Sequence, residues 1–420
     1  MKTRLSSFFA QKCSKCGLEY APELMVCGCK RCGGRVDILY DYDKVRQTTV
    51  KRDNTIGRIP LWLYDELLPI VDKTKRISLE EGGTPLLHCK ALGARLDLER
   101  LYVKDETRNP SGSFKDRCSA ISLSKAKESS VKVVVIASTG NAGASACAYS
   151  AKARIPCYVF VPASVDLGKL SQIVIYGGKV VRVDGTIDDC SSLAKAASEK
   201  YGWINVTTNT QTNPYSTQGS KTTAFEICLQ LGWKAPDWFV VPFGGGGNLY
   251  GHWLGFMEFQ TLNLIDSLPH LAAIQAAGCA PFVNAFKEQK TPQDVQIWRN
   301  AATIASGLRD PYPYDVELAL PAIYKSGGVA EAVTDDEILE AEMMLASTEG
   351  IFAEPSAAAS IAGLKRLVDS GIVKRKDLIV CEVTGSGLKD TESAMGLRGT
   401  ETTKIKPSLQ ELERVLHTWS

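Results

Sequence analysis

The chain has 420 residues, 44% of them hydrophobic, and its 49 basic and 47 acidic residues leave a formal charge of +2. A chain of this length can bury a large core and is expected to divide into two or three domains. Its near-neutral charge favours neither a nucleic-acid partner nor an anionic membrane surface, and no apolar run is long enough to cross a bilayer. Only four histidines are present, which argues against a histidine-based catalytic triad.

Cysteine usage predicts one metal site in a reducing compartment. Five of the 13 cysteines lie between Cys13 and Cys32, and the other eight are scattered through apolar segments. A disulfide framework would be confined to an oxidising compartment, so this distribution predicts a cytoplasmic protein with buried free thiols.

Two Cys-x-x-Cys pairs, each followed by glycine and separated by 12 residues, occupy this region: Cys13 with Cys16, and Cys29 with Cys32. Each pair can form a tight turn that aims two thiolates at one point. Four thiolates close a tetrahedral site with no open position, which predicts a structural Zn²⁺ ion. Cys27 is a spare thiol that could replace Cys29 as a ligand, and four unrelated buried thiols are the weaker alternative. With a strand over residues 36–42, this predicts a zinc ribbon over residues 1–42.

A connector is expected over residues 43–82, and from about residue 83 strands alternate with helices. The predicted strands cover residues 101–104, 132–137, 157–161, 179–183, 238–242, 270–275 and 377–383. The predicted helices cover residues 142–153, 167–176, 188–201, 221–231, 248–261, 335–347 and 355–367. Continuous apolar strands separated by helices predict an α/β fold with parallel sheets covered on both faces.

Lys115 follows the turn Asn109-Pro-Ser-Gly-Ser-Phe114 and opens an apolar helix. Partial burial would lower the pKa of its ammonium group and make the amine a better nucleophile, as a Schiff-base lysine requires. A solvated lysine at a helix start is the alternative, and the turn alone favours that alternative.

Three loops that follow predicted strands carry unusual residues, and ligands bind at this end of parallel strands. Ser138 to Asn141 places hydroxyls and N–H groups at a helix start, where a carboxylate would bind, although ordinary helix capping explains Ser138 and Thr139 equally well. Gly244 to Gly247, with Asn248, follow a strand and open a helix, which favours a phosphate cradle over a merely flexible turn. Thr384 follows a buried strand and could bond a ring nitrogen.

A reactive lysine, an anion seat, a phosphate cradle and an isolated hydroxyl are together what pyridoxal 5′-phosphate requires. With these residues and the motifs Glu81-Gly-Gly-Thr-Pro-Leu86, Ala353-Glu-Pro-Ser-Ala357 and Thr384-Gly-Ser-Gly-Leu-Lys-Asp390, the chain resembles the threonine synthase family of fold-type II (tryptophan-synthase-β-like) pyridoxal-phosphate enzymes. The resemblance covers about three quarters of the chain.

The resemblance implies two three-layer parallel-sheet domains over residues 83–400, with a smaller subdomain at about 110–220. It implies that Lys115 is the Schiff-base lysine, Asn141 lies against the 3′-oxygen of the cofactor, and Thr384 meets the pyridine nitrogen. Gly244, Gly245, Gly246, Gly247 and Asn248 would hold the phosphate, and Ser138 and Thr139 the substrate carboxylate. The implied reaction is a β,γ-replacement on O-phosphohomoserine, a small phosphorylated amino acid, with Lys115 moving protons.

One stretch departs from the family pattern. Ser216 stands where members usually carry a basic residue that holds the substrate phosphate, Gln218 replaces glutamate, and Ser220 replaces glutamine. Arg108 or Lys104 is predicted to compensate for the missing charge. Alternatively Arg108 is a surface side chain and the substrate differs.

Two other functions stay open at this stage. A sister enzyme of the same fold would be a serine/threonine or diaminopropionate ammonia-lyase or a phosphoserine-dependent synthase. It would not release phosphate from O-phosphohomoserine, and an ammonia-lyase would form a 2-oxoacid from threonine or serine. A non-catalytic paralogue would use the ribbon as an interaction module. The predicted helix over residues 401–420 begins with a Ser408–Glu411 capping box and is expected to dock on the body or to contact a second copy in a homodimer.

Overall fold

The computed structural model describes residues 8–49, 51, 59–165, 168–396 and 402–419. The strands are β1 (Phe8–Cys13), β2 (Glu19–Tyr20), β3 (Val36–Tyr40), β4 (Leu86–His88), β5 (Arg100–Asp105), β6 (Val134–Ala137), β7 (Cys157–Pro162), β8 (Lys179–Val183), β9 (Ile204–Asn205), β10 (Trp238–Pro242), β11 (His270–Ala276), β12 (Val329–Val333) and β13 (Leu378–Val383). The α-helices are α1 (Tyr42–Thr48), α2 (Lys90–Arg95), α3 (Lys115–Glu128), α4 (Asn141–Ala153), α5 (Ser171–Ile175), α6 (Ile187–Tyr201), α7 (Pro214–Gln230), α8 (Gly247–Thr261), α9 (Pro281–Lys287), α10 (Val316–Lys325), α11 (Asp335–Glu349), α12 (Pro355–Asp369), α13 (Thr391–Met395) and α14 (Leu409–Trp419).

The largest sheet has the strand order β12-β11-β10-β13-β5-β4, and all neighbours are parallel except the edge pair β4–β5. Its central strands β10 and β13 are buried along their whole length, as their apolar sequences, interrupted in β13 by Glu382, favour. Because β10, β13 and β5 are neighbours, the loops after their carboxyl ends converge on one edge of the sheet. The predicted α/β class is confirmed.

A second sheet has the order β8-β7-β6-β9 and is parallel throughout. Its strands come from residues 134–205, and α4 follows the carboxyl end of β6. This sheet therefore supplies the loop from Ser138 to Asn141.

The amino-terminal ribbon is a small antiparallel sheet of order β2-β1-β3. It packs on α7, where the hydroxyl of Tyr215 accepts a hydrogen bond from the Val26 backbone N–H (2.9 Å) and donates one to the side chain of Gln11. Lys125 of α3 donates a hydrogen bond to the backbone oxygen of Pro22 (2.6 Å). Buried polar contacts thus join the ribbon to the body.

Some elements differ from the sequence-based prediction. Helix α7 begins at Pro214 rather than at residue 221, because proline is accommodated in the first turn of a helix and all residues from Pro214 to Leu229 are buried, which leaves no amphipathic pattern to read. Strand β12 and helices α9 and α10 were not predicted at all.

The carboxyl-terminal helix has its predicted cap, but two of its leucines are exposed, and its docking on the body stays a prediction. Ser408 accepts the predicted capping bond from the Glu411 backbone N–H (3.3 Å), but Leu412 and Leu416 of α14 stay 40% and 50% exposed. Residues 50 and 52–58 of the predicted connector, and residues 397–401 where the catalytic region is predicted to end, lie outside the described residues. Within the described part of the chain, helices of the length and apolarity needed to span a membrane are absent.

Candidate active site

The turn before Lys115 is joined to the loop after β13 by backbone hydrogen bonds. The N–H of Phe114 donates to the carbonyl of Thr384 (3.0 Å), and the N–H of Ser386 donates to the carbonyl of Gly112 (2.9 Å). Gly112 has φ +82°, a left-handed conformation that favours glycine. Residues that lie far apart in the sequence, Lys115 and Thr384, are therefore fixed side by side.

Lys115 is the first residue of α3 and is half-buried. Its Nζ donates a hydrogen bond to the Oγ1 of Thr208 (3.0 Å) and lies 4.6 Å from the centre of the Phe114 ring. The side chain is therefore held at the site rather than extended into solvent, which was the alternative for a helix-start lysine.

The carboxylate of Asp116 fixes the same turn through hydrogen bonds. It accepts hydrogen bonds from the N–H and Oγ of Ser111 and from the Oγ of Ser145 of α4, each at 2.6 Å. Burial raises the pKa of Asp116, and these three bonds act against that shift. The turn is thus tied to α4.

A buried cluster of four charges lies beneath the turn: Lys104, Glu106, Arg117 and Glu226, each at most 2% exposed. Arg117 donates to both carboxylates, with its Nε 2.7 Å from Glu106 and its Nη2 2.8 Å from Glu226. Burial by itself would raise the pKa of Glu226, but Arg117 and Lys104 outweigh it and hold that pKa at about 2. The cluster joins β5, α3 and α7 under the Lys115 turn.

This cluster corrects the predicted role of Lys104. All three N–H groups of its ammonium have protein acceptors: the backbone oxygen of Thr84 (2.7 Å), Glu226 (2.7 Å) and Gln230 (2.9 Å). A lysine with these buried partners has no donor left for a substrate phosphate. Arg108, by contrast, is exposed on the short helix Glu106–Arg108.

The glycine loop after β10 requires glycine for steric reasons. A Cβ on Gly244 would lie 2.8 Å from the carbonyl oxygen of Gly307, and one on Gly247 would lie 2.5 Å from Oδ2 of Asp315. Gly246 has φ +96° and precedes the first residue of the 15-residue helix α8. The N–H groups at that helix start suit an anion.

The side chain of Asn248 is bonded to the large sheet. Its Nδ2 donates to Oε2 of Glu382 (2.7 Å), which also contacts Nε2 of His252 (3.1 Å). Its Oδ1 is buried and has no hydrogen-bond partner in the described part of the chain. The backbone N–H of Asn248 is therefore the group that an anion at this helix start would meet.

The loop after β6 meets the large sheet through Asn141. Its Nδ2 donates to Oε1 of Glu354 (2.7 Å), and the Glu354 N–H donates to the carbonyl of Gly385 (3.0 Å), next to Thr384. Burial raises the pKa of Glu354 to about 7. Ser138 caps its own helix by accepting from the Gly143 N–H (3.1 Å), and Thr139 is half-buried.

The residues brought together fit pyridoxal phosphate. Thr384 is 5% exposed at the end of β13, and Oγ of Ser113 is buried with no hydrogen-bond partner among the described residues. A lysine amine, an anion-binding helix start and a buried hydroxyl at the converging strand ends match the aldehyde, phosphate and ring nitrogen of that cofactor.

The four predicted cysteines form a separate cluster in the ribbon. The Sγ atoms of Cys13, Cys16, Cys29 and Cys32 all lie within 4.8 Å of one another, and Cys27 lies outside the cluster. The Tyr20 hydroxyl donates to Sγ of Cys29 (3.2 Å), and this bond lowers the pKa of that thiol to about 6. Four sulfur donors at this spacing fit Zn²⁺.

Sequence reasoning missed three residues of the site. Thr208 follows the short strand β9, and no motif marked it. Glu354 stood inside a quoted motif, so its charge next to a proline at a helix start was an available signal. Glu382 sits within an otherwise apolar strand, and a carboxylate in such a strand indicates a buried partner.

Known proteins share the fold and the sequence family of this chain. A family model described as "Pyridoxal-phosphate dependent enzyme" matches residues 77–385, and the chain belongs to that family. Maize serine racemase superposes with a TM-score of 0.61 at 21% identity, covering 80% of this chain and 92% of that one, and a fungal L-serine ammonia-lyase from Rhizomucor miehei superposes with a TM-score of 0.63 at 19% identity, covering 74% and 98%.

Sequence comparison places the chain more narrowly. It is 44% identical to threonine synthase from Methanocaldococcus jannaschii over 97% of this chain and 99% of that one, and 40% identical to threonine synthase from Methanosarcina acetivorans over 91% and 93%. The chain is a member of the threonine synthase family within the pyridoxal-phosphate dependent enzymes.

Proposed function

We propose that the protein is a threonine synthase, a lyase that uses pyridoxal phosphate to convert O-phosphohomoserine and water into threonine and phosphate. The observation that carries the proposal is the junction of the Lys115 turn with the Thr384 loop beside the glycine loop, in a chain 44% identical to a threonine synthase over nearly its whole length.

We assign the cofactor contacts as follows. Lys115 would hold the cofactor covalently, Thr384 would meet its ring nitrogen, Asn141 its 3′-oxygen, and the N–H groups of Gly244, Gly245, Gly246, Gly247 and Asn248 its phosphate. Bound pyridoxal phosphate supplies an electron sink that stabilises negative charge at the substrate Cα. A neutral hydroxyl opposite the ring nitrogen favours elimination and replacement over transamination.

Lys115 then acts as the acid–base group. The Lys115 amine, which Thr208 holds at 3.0 Å, would move protons at Cα and Cβ of the substrate. Phosphate would leave from Cγ, which takes up a proton to become the methyl group of threonine, and water would add at Cβ. Ser138 and Thr139 are assigned to the substrate carboxylate, with the start of α4 supplying N–H groups.

The substrate phosphate needs a cation in place of the missing basic residue at position 216. Ser216 is buried, and its Oγ donates to the carbonyl of Asn213 (2.9 Å), so its hydroxyl is bonded at the start of α7. Because all donors of the Lys104 ammonium are bonded within the buried cluster, Arg108 is our candidate among the two predicted residues.

For the ribbon we propose a structural Zn²⁺ ion on Cys13, Cys16, Cys29 and Cys32. All 13 cysteines are free thiols, which supports a reducing compartment such as the cytoplasm. We also propose a homodimer, supported by the exposed leucines of α14. Light scattering with Leu412→Ser tests the dimer, and a monomeric wild-type protein would refute it.

The test of the function measures products from a purified enzyme. We expect phosphate release from O-phosphohomoserine, threonine formation in equal amount, and little 2-oxoacid from threonine or serine. Oxoacid formation without phosphate release would identify an ammonia-lyase of the same fold instead. Lys115→Ala should abolish both the activity and the visible absorbance of the wild-type cofactor complex, and a wild-type protein without that absorbance would point to a non-catalytic paralogue.

A further inference from the structure

A polar cavity of about 300 Å³ lies between the cysteine ribbon and the catalytic body. The ribbon contributes the residues beside its two cysteine pairs, and the body contributes the loop before α7 and the start of α10. The lining residues are Ser14, Lys15, Cys32, Gly33, Gly34, Arg35, Thr210, Gln211, Tyr314, Asp315, Glu317 and Leu318. Its volume is at the lower end of the range for small-molecule sites, and it is distinct from the cofactor site at Lys115.

The two walls carry opposite charges. Lys15 and Arg35 line the ribbon side, and Asp315 and Glu317 line the body side. Arg35 is oriented by Asp37, with Nε 2.7 Å from Oδ1, while its Nη1 stands 3.8 Å from a Glu317 carboxylate oxygen, beyond hydrogen-bond distance. Asp315 is 2% exposed, and its Oδ2 lies against the glycine loop, where a Cβ on Gly247 would be 2.5 Å from it, so Glu317 is the accessible carboxylate of the body wall.

We propose that this cavity binds a free α-amino acid. The carboxylate of such a zwitterion would meet Lys15 and Arg35, and its ammonium would meet Glu317, so both charged walls gain a partner. A simple anion such as phosphate would face two carboxylates, and a Zn²⁺ ion on four thiolates would add two net negative charges behind it. A dication would face Lys15 and Arg35.

The body wall of the cavity is also the back of the glycine loop. The N–H of Asp315 donates to the carbonyl of Gly245 (2.8 Å), and Oδ1 of Asp315 accepts from the N–H of Thr210 (2.8 Å). Thr208, two residues before Thr210, holds the amine of Lys115. The cavity and the proposed cofactor site therefore share the wall formed by Asp315 and Thr210, but neither Lys115 nor the glycine loop lines the cavity.

The first experiment measures the melting temperature of the holoenzyme with each L-amino acid. Inorganic phosphate and putrescine serve as probes that carry only negative or only positive charge. Equilibrium dialysis with the amino acid that binds most tightly then gives the number of molecules bound per chain. The molecule bound in the cavity is the one that leaves the absorbance of the cofactor unchanged, whereas an amino acid bound at Lys115 changes that absorbance.

The variants are Lys15→Gln and Glu317→Gln, with Lys12→Gln as the matched control because that ribbon lysine pairs with Glu19 (3.3 Å) outside the cavity. Each cavity variant removes one charged partner of the amino acid. We therefore expect the dissociation constant of the amino acid in the cavity to rise about tenfold in each of the two variants and to stay unchanged in the control. Asp315 is left intact because it supports the glycine loop.

Three results would overturn the proposal: no amino acid binds without changing the cofactor absorbance, phosphate or putrescine binds as tightly as the best amino acid, or both cavity variants keep the wild-type affinity. Phosphate release from O-phosphohomoserine, measured in the same samples, tests the catalytic proposal separately, because the cavity variants leave Lys115 and its loops unchanged.

Discussion

Replacing Glu226 by glutamine should destabilise the protein strongly, although the two side chains have nearly the same shape. In the wild type, Glu226 accepts hydrogen bonds from Lys104, from two nitrogens of Arg117 and from the Gly83 N–H. The cluster holds two cations and two carboxylates, so the substitution leaves one buried positive charge uncompensated. Breaking a buried pair in this way costs about 3–5 kcal/mol.

The pKa of Glu226 supports a similar figure. It falls from 4.5 to about 2 in the folded protein, which corresponds to about 3 kcal/mol of stability near neutral pH. Because the folded-state pKa is lowered, this contribution is complete above pH about 4.5 and is lost as the pH falls toward 2. At pH about 3.5 the difference in the free energy of unfolding between wild type and Glu226→Gln should therefore narrow by about 1 kcal/mol.

Urea unfolding followed by circular dichroism measures both effects, with Glu99→Gln as the control. Glu99 pairs with Arg375 at 2.9 Å, but the side chains are 45% and 60% exposed, so its loss should cost about 0–1 kcal/mol. If Glu226→Gln lowers the free energy of unfolding no more than the control does at neutral pH, the buried cluster does not stabilise the fold.

Further predictions concern the loops, the ribbon and one buried acid. Gly244→Ala places a Cβ 2.8 Å from a carbonyl oxygen and should weaken cofactor binding at least about tenfold in a fluorescence titration, whereas Gly396→Ala, with only ordinary contacts, should leave it unchanged. Cys32→Ser should lose the metal and lower the unfolding temperature, while Cys27→Ser should keep about one metal ion per chain by elemental analysis. The pKa of Glu354 is raised to about 7, so its contribution to stability is lost as the pH rises from about 4.5 through 7. In Glu354→Gln, the melting temperature should therefore fall less steeply over this pH range than it does in the wild type.

Most of the longer strands and the chemistry-bearing loops could be predicted from local pattern alone, but β12 could not. The β-branched run at β6, the glycines after β10 and the cysteine spacing each carry their signal within a few residues. The order of the strands could not be predicted, because β13 enters the large sheet between β10 and β5, which precede it by more than a hundred residues. That placement is what brings Thr384 to Lys115.

Buried charged residues are the feature of the site that the sequence predicts least well. Lys104 and Glu226 are 122 residues apart in the chain, so no local pattern reveals that they form a pair. Without that partner, the lysine near the turn is predicted to contact the substrate. Helix α7 was predicted too short for a related reason: its polar residues are buried against other polar residues, which removes the amphipathic stripe used to recognise helices.

The departures from the family pattern on α7 lie in different surroundings. Gln218 accepts a hydrogen bond from the hydroxyl of Tyr40 in the ribbon (2.9 Å). Ser220 lies where α7 and α8 approach closely, since a Cβ on Gly251 would be 2.7 Å from the Cβ of Ser220. Gln218 and Ser220 thus contact the ribbon and α8, whereas Ser216 is the departure that bears on the proposed contact with the substrate phosphate.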